Sequence, residues 1–66
     1  MYTRQDIAKI ISERDDMTVD EALIVVDDAI TLCRGLLVTS NSPSEVEEAW
    51  IEETGLEVDY MLDVLY

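Results

Sequence analysis

Carboxylates are the side chains of this 66-residue chain that could do chemistry in number: sixteen of them face four basic residues and no histidine. A carboxylate pair works as general acid and base only where an apolar pocket keeps one member protonated, and no segment predicts such a pocket. The lack of histidine excludes the usual catalytic triads and imidazole-ligated zinc. A single cysteine excludes thiolate zinc clusters, and no segment follows the calcium-loop pattern. We therefore predict a protein that is not an enzyme and holds no metal or cofactor.

The acidic residues are unevenly divided along the chain. Residues 1–34 contain eight acidic and all four basic side chains, a net charge of −4, whereas residues 35–66 contain eight acidic and no basic side chains, a net charge of −8. Direct binding to nucleic acid or to anionic membranes would work against this charge, so we expect neither. The excess favours a basic protein partner. We predict that the contacts come from Glu45, Glu48, Glu52 and Glu53, with support from Asp59 and Asp63.

The elements that position these carboxylates are predicted to be helices. A Ser or Thr followed three residues later by an acid is typical of a capping box, and it occurs three times: Thr3/Asp6, Thr18/Glu21 and Ser42/Glu45. Pro43 suits a first helical position, and Gly55 suits a left-handed cap. We predict helices over about 4–14, 19–35, 43–54 and 58–65, packed as one all-α domain, a compact three- to four-helix bundle. Whether the second helix stops at Gly35 or includes Leu36–Val38 stays open.

Two apolar contacts are expected at the helix ends. Tyr2 precedes the first cap and would pack on Ile7 as a hydrophobic staple. The spacing of Ile51 and Leu56 matches the apolar contact of a Schellman motif at the end of the third helix.

Cys33 and Trp50 are predicted to belong to the core. Cys33 lies on an apolar stripe of the second helix with no adjacent base that would activate it, so we interpret it as a small buried residue. Trp50 shares a helical face with Val46 and Ala49, which favours the main aromatic position of the core. The alternative is that Trp50 anchors an interface, where tryptophan is enriched.

The sequence also bears on the cellular location. No apolar run approaches the roughly 20 residues that span a bilayer, and polar residues follow Met1 where a signal peptide would be hydrophobic. One cysteine fits a reducing compartment. We expect a soluble cytoplasmic protein.

A small, histidine-free, strongly acidic helical chain of this kind resembles the nucleic-acid mimics of phages and mobile elements, which include anti-restriction and anti-CRISPR proteins. The stretch Gly55–Leu62 is also similar to the tail of short phage-type reading frames of Gram-positive bacteria. At about 1.5 Å of rise per residue, the five glutamates between residues 45 and 53 fall within roughly 13 Å along the helix axis. That is one carboxylate per ~3 Å, which is close to the ~3.4 Å between phosphates along one DNA strand. The resemblance implies an inhibitor that occupies the nucleic-acid-binding groove of a basic host protein, such as a defence nuclease.

The alternative is a small helical interaction or homodimerisation module of a phage or mobile element with no mimicry. Its contact surface would be apolar, formed by Leu36–Val38 together with Tyr60 and Tyr66. The two hypotheses differ in their response to salt, because an acidic contact weakens as salt rises and an apolar contact does not.

Overall fold

Four α-helices make up the part of the chain that the computed structural model describes, residues 1–39 and 42–65. They are α1 (Arg4–Asp15), α2 (Val19–Thr39), α3 (Pro43–Thr54) and α4 (Val58–Leu65). No strand occurs within these described ranges. The all-α prediction is confirmed, and the question at Gly35 is answered: α2 continues through Gly35 and includes Leu36–Val38, as far as Thr39.

The core forms around α2, the longest helix, which packs against the other three. Its buried side has the helical spacing expected of a broad apolar face and includes two alanines, which let the neighbouring helices approach closely. These residues are Ala22, Val26, Ala29, Ile30 and Cys33. The other helices contribute Ile7, Ala8 and Ile11 from α1, Val46 and Trp50 from α3, and Met61 from α4. Cys33 and Trp50 are both completely buried, so their predicted core positions are confirmed.

The first two helices begin as predicted. At α1 the Asp6 N–H donates to the Thr3 hydroxyl at 3.1 Å, while the Thr3 N–H donates to the Asp6 carboxylate at 3.0 Å. These hydrogen bonds with Thr3 lower the pKa of Asp6 from its ordinary value. At α2 the Glu21 N–H donates to the Thr18 hydroxyl at 3.1 Å, and the Thr18 N–H faces the Glu21 carboxylate at 3.4 Å. Each box satisfies backbone donors that the helix itself leaves without a partner.

The third helix begins differently, and the predicted third capping box is wrong. Ser42 is the N-cap and Pro43 follows within the first helical turn, but the described residues show no side-chain cap hydrogen bond at this start. Instead the Glu45 N–H donates to the backbone carbonyl of Ser42 at 3.2 Å. The ψ angle of Ser42 is 113°, against 169° at Thr3, so the two N-caps orient their side chains differently.

The connection between α1 and α2 is a tight left-handed turn. Asp16 adopts φ 54° and ψ 49°, a conformation that non-glycine residues seldom take except for Asp and Asn. The Met17 N–H donates to the Ser12 carbonyl at 3.1 Å, and the Ser12 hydroxyl donates back to the Met17 carbonyl at 2.6 Å. This pair of bonds fixes the angle at which α2 leaves α1.

The corner between α3 and α4 is built on Trp50 and Thr54. The Thr54 hydroxyl donates to the Trp50 carbonyl at 2.8 Å and accepts the Leu56 N–H at 3.1 Å. The Trp50 indole N–H donates to the Glu57 carbonyl at 3.0 Å. Gly55 has φ 69°, and its N–H donates to the Ile51 carbonyl at 2.8 Å.

The predicted left-handed glycine cap at Gly55 is therefore confirmed, whereas the Schellman motif is wrong. A Schellman motif would direct the Leu56 N–H to the Ile51 carbonyl. Here the buried Thr54 hydroxyl takes that N–H, and the Gly55 bond alone closes the helix.

The N-terminal segment packs against α4. The ring of Tyr2 lies 4.5 Å from the ring of Tyr60, measured between centroids, at an interplanar angle of 45°. The staple pattern, which paired Tyr2 with Ile7, did not predict this contact. The hydrogen bond with Tyr2 and the nearby acidic residues raise the pKa of Tyr60.

Candidate protein-binding surface

The outer side of α3 carries three of the predicted contact residues together. Val46, Trp50 and Thr54 recur every four residues and are buried, so they determine which side of the helix meets the core. Glu45, Glu48 and Glu52 have the complementary spacing and are all exposed. We call these three residues the α3 acidic face.

The other three predicted carboxylates do not belong to this face. Glu53 is exposed on the flank of α3 towards α2, where burial first and the charge of Glu53 second raise the pKa of the Cys33 thiol. Asp59 is exposed on α4. Asp63 is half-buried, and its Oδ2 accepts the Tyr2 N–H at 2.8 Å. Asp63 therefore holds the N-terminal segment on α4, a structural role that the sequence pattern did not reveal.

The ion pairs of the described residues lie in the first half of the chain. Arg4 binds Asp27 through two bonds, Nε to Oδ1 at 2.5 Å and Nη2 to Oδ2 at 3.0 Å. Arg14 binds Asp15 in the same bidentate way, at 2.9 and 2.7 Å. Arginine forms such planar two-bond contacts with carboxylates more readily than lysine does. Two of the four basic side chains are thus engaged locally, on carboxylates of their own half.

Arg14 also reaches the second half. A Cβ built on Gly55 would lie 2.8 Å from Nη1 of Arg14, so the guanidinium sits directly over the C-terminal end of α3. A cation at a helix C-terminus interacts favourably with the helix dipole, whereas Glu52 and Glu53 lie at that same end with the unfavourable sign. The guanidinium partly offsets this cost, and no local sequence pattern connects Arg14 to Gly55.

The apolar surface of the alternative hypothesis is only partly exposed. Val38 is 87% exposed and Leu37 39% exposed, but Leu36 and Tyr60 pack against the core. Tyr66 lies outside the described residues. The predicted combination of Leu36–Val38 with Tyr60 is therefore not one exposed patch, because α2 continues past Gly35 and turns Leu36 inward.

An open cleft of about 430 Å³ lies between the N-terminal segment, α2 and α4. Its polar lining includes the Arg4–Asp27 pair, Arg34 and Asp63, and its apolar lining includes Ile30. Carboxylates and guanidinium groups occur there together, so the cleft has no strong preference for one sign of charge.

The chain matches no protein-family model, no curated protein and no solved structure. Residues 1–39 and 42–65 contain no group of three or more Cys, Asp or Glu side chains arranged to hold a metal ion. In the same ranges no helix combines the length and apolar character needed to cross a membrane.

Proposed function

We propose that the protein is a protein-binding inhibitor whose α3 acidic face occupies the nucleic-acid-binding groove of a basic protein, as an anti-restriction or anti-CRISPR type of mimic would. The observation that supports this proposal is the alignment of Glu45, Glu48 and Glu52 on one exposed side of a single helix. The half of the chain that contains them, residues 35–66, has no basic side chain.

The spacing of the α3 acidic face suits a surface that binds a nucleic-acid backbone. The three carboxylates are three and four residues apart, which corresponds to about 4.5 and 6 Å along the helix axis. Phosphates of one DNA strand repeat at about 3.4 Å along the duplex, so both surfaces present negative charge at intervals that neighbouring lysine and arginine side chains can span. Electrostatic complementarity of this kind mainly speeds association and selects the partner.

The rigidity of α3 also favours binding. The helix is held by Trp50, whose indole is buried and hydrogen-bonded to Glu57, so the backbone that carries the glutamates is already ordered before a partner arrives. Binding then costs mainly side-chain freedom, and pre-organisation of this kind increases affinity.

The α3 acidic face is electrostatically unfavourable for the isolated protein. Like charges three and four residues apart destabilise a helix by a few tenths of a kcal/mol per pair. Solubility requires no such alignment, because carboxylates dispersed among basic residues serve it as well. A basic partner would turn this internal repulsion into intermolecular attraction.

The test is capture of partners from a nuclease-treated cell lysate on the immobilised protein. Captured proteins are challenged with duplex DNA, with structured RNA, and with salt raised from about 0.05 to about 0.3 M. We expect a nucleic-acid-binding protein that both nucleic acid and salt release. Partners that neither of them displaces would overturn the proposal.

A pair of charge-matched variants assigns the contact. The combined change Glu45→Gln, Glu48→Gln and Glu52→Gln removes the α3 acidic face and should abolish capture. The control removes three exposed charges from the first half: Glu13→Gln, Asp16→Asn and Asp20→Asn. Because both variants raise the net charge equally, equal losses of binding would mean that total charge, and not the α3 acidic face, attracts the partner.

A further inference from the structure

The side of α2 opposite its buried face carries a regular exposed stripe, along one edge of which Thr31 and Arg34 also line the cleft beside the N-terminal segment. Its members alternate at spacings of four and three residues, the repeat with which one helix presents a seam to another: Ile24, Asp28, Thr31, Gly35 and Val38. All five are exposed, and the two apolar residues at the ends, Ile24 and Val38, are 63% and 87% exposed. We call this stripe the α2 outer seam.

Gly35 gives the α2 outer seam room for a close neighbour. A Cβ added at Gly35 would meet no atom within 4 Å, so nothing inside the protomer requires a glycine at this helical position. Glycine in a helix interior costs about 1 kcal/mol relative to alanine. Its benefit is a bare stretch of backbone that another helix can approach closely.

The charged residue of the α2 outer seam, Asp28, and the neighbouring Arg34 are self-complementary between two copies of the helix. Arg34 and Asp28 are both exposed, and neither forms an ion pair within the described part of the chain. In an antiparallel pair of α2 helices centred on Thr31, Ile24 of one copy lies level with Val38 of the other, and Asp28 lies level with Arg34. Two-fold symmetry repeats each of these contacts. A parallel pair would instead bring Arg34 near Arg34 and Asp28 near Asp28.

We propose that the α2 outer seam is a homodimer interface on which α2 of a second copy packs antiparallel about Thr31. The two apolar contacts bury the most exposed aliphatic side chains of α2, and the charged contacts select the antiparallel direction. The seam does not include the α3 acidic face, so the dimer presents two acidic faces to a partner. Two copies with a net charge of −12 each repel one another, which makes dimerisation stronger at moderate salt than at low salt.

The experiment is sedimentation equilibrium of the whole chain from about 1 µM to about 1 mM, a range that brackets weak and moderate affinities. Wild type is compared with Arg34→Asp, with Asp28→Arg, and with an equimolar mixture of these two variants. Wild type should dimerise. Each variant alone places like charges opposite one another and should dimerise at least roughly tenfold more weakly. In the mixture each of the two charge contacts again joins opposite charges, so the heterodimer should form with an affinity similar to that of the wild-type dimer.

Three outcomes would overturn the proposal. The first is a wild-type chain that stays monomeric across the whole range at both about 0.05 and about 0.3 M salt. The second is single variants that dimerise as wild type does. The third is a mixture that associates more strongly than wild type, which would indicate a parallel pair. Circular dichroism confirms that each variant is folded.

The dimer is independent of the proposed partner binding, and the variants separate the two. Glutamine at positions 45, 48 and 52 should not weaken dimerisation, since it removes only repulsion between copies. Arg34→Asp should leave capture of a basic partner through the α3 acidic face intact.

Discussion

The two halves of this chain differ in how they use most of their carboxylates, although Asp63 in the second half also accepts a backbone bond, from the Tyr2 N–H. In α1 and α2 several acids act on their own surroundings: Asp6 and Glu21 close helix starts, while Asp15 and Asp27 bind arginines. In α3 and α4 the connecting corner is held by an indole, a hydroxyl and backbone groups around Trp50, without any charged side chain in these bonds. A segment stabilised by neutral groups can direct its charges outward, where the proposed partner would meet them.

Because of this contrast, the stability of the second half depends on a small number of residues. One buried tryptophan and one left-handed glycine organise the α3–α4 corner, whereas the start of the chain distributes its stabilisation over two capping boxes and two ion pairs.

Trp50→Ala should have the largest effect. Removing a completely buried tryptophan costs about 3–5 kcal/mol, which is comparable to the whole unfolding free energy of a chain this small. We expect far-UV circular dichroism to show a largely unfolded chain without denaturant. Trp50→Phe, which keeps an aromatic ring but loses the bond to the Glu57 carbonyl, should be folded with an intermediate loss. A urea midpoint of the alanine variant equal to that of wild type would contradict the central role of Trp50.

The two glycines should respond to alanine with opposite signs. Gly55→Ala places a side chain in the left-handed region and against the Arg14 guanidinium, so we expect a loss of about 1–2 kcal/mol. Gly35→Ala fills open space on a helix and should raise the unfolding free energy by about 1 kcal/mol. Urea unfolding at low protein concentration measures both changes without a contribution from dimerisation. A stabilising Gly55→Ala would show that neither the backbone conformation nor the Arg14 contact is costly to a side chain.

Asp6 should lend stability that depends on pH. Hydrogen bonds with Thr3 hold the pKa of Asp6 below its ordinary value of 3.8, so the carboxylate stabilises the folded state above that value. The contribution is lost as the pH falls through the folded-state pKa. Asp6→Asn should therefore lower the unfolding free energy near pH 7, and its difference from wild type should shrink as the pH falls below 3.8 and through the lowered pKa of the folded state. A difference that is the same at both pH values would rule out a contribution from the charge of Asp6.

Removal of the α3 acidic face should have the smallest effect on stability, and a favourable one. The variant with glutamine at positions 45, 48 and 52 loses two like-charge pairs, each worth a few tenths of a kcal/mol. It also loses the favourable charge of Glu45 in the first turn of α3, which the removal of the unfavourable charge of Glu52 at the other end offsets. We expect a slightly higher melting temperature at low salt and little difference at high salt. The matched control in the first half should show no such gain, because Asp20 lies at the favourable end of the α2 dipole.

The sequence predicted the elements of this fold well because their limits are local. Capping residues such as Thr3 and Thr18 bond to backbone groups within one turn, and Gly55 ends α3 through its own φ angle. The acidic side of α3 follows from helical periodicity in the same way. Gly35 was ambiguous because a glycine can end a helix or continue it, and only packing decides between these outcomes.

The contacts that the sequence did not predict join residues distant in the chain. Arg14 over Gly55, Tyr2 against Tyr60, and the Tyr2 N–H on Asp63 depend on how the helices are oriented, which no short pattern contains. For the same reason, the six predicted contact carboxylates do not all lie on one surface. The three of the α3 acidic face lie together because they are one helical turn apart, whereas Asp63 is turned towards the N-terminal segment by its bond with the Tyr2 N–H.

The buried Cys33 gives this small protein a natural reporter of its own opening. Its Sγ is completely covered and lies 3.6 Å from the Val46 carbonyl, at the contact between α2 and α3, and burial raises its pKa. A thiol reagent in solution can reach that sulfur only after the two helices separate. Because the chain contains no second cysteine, the rate of alkylation would report this separation alone: its rate at high reagent concentration and its equilibrium population at low concentration. The opening of the unmodified protein can thus be followed at Cys33, and we expect a partner bound on α3 to slow the alkylation.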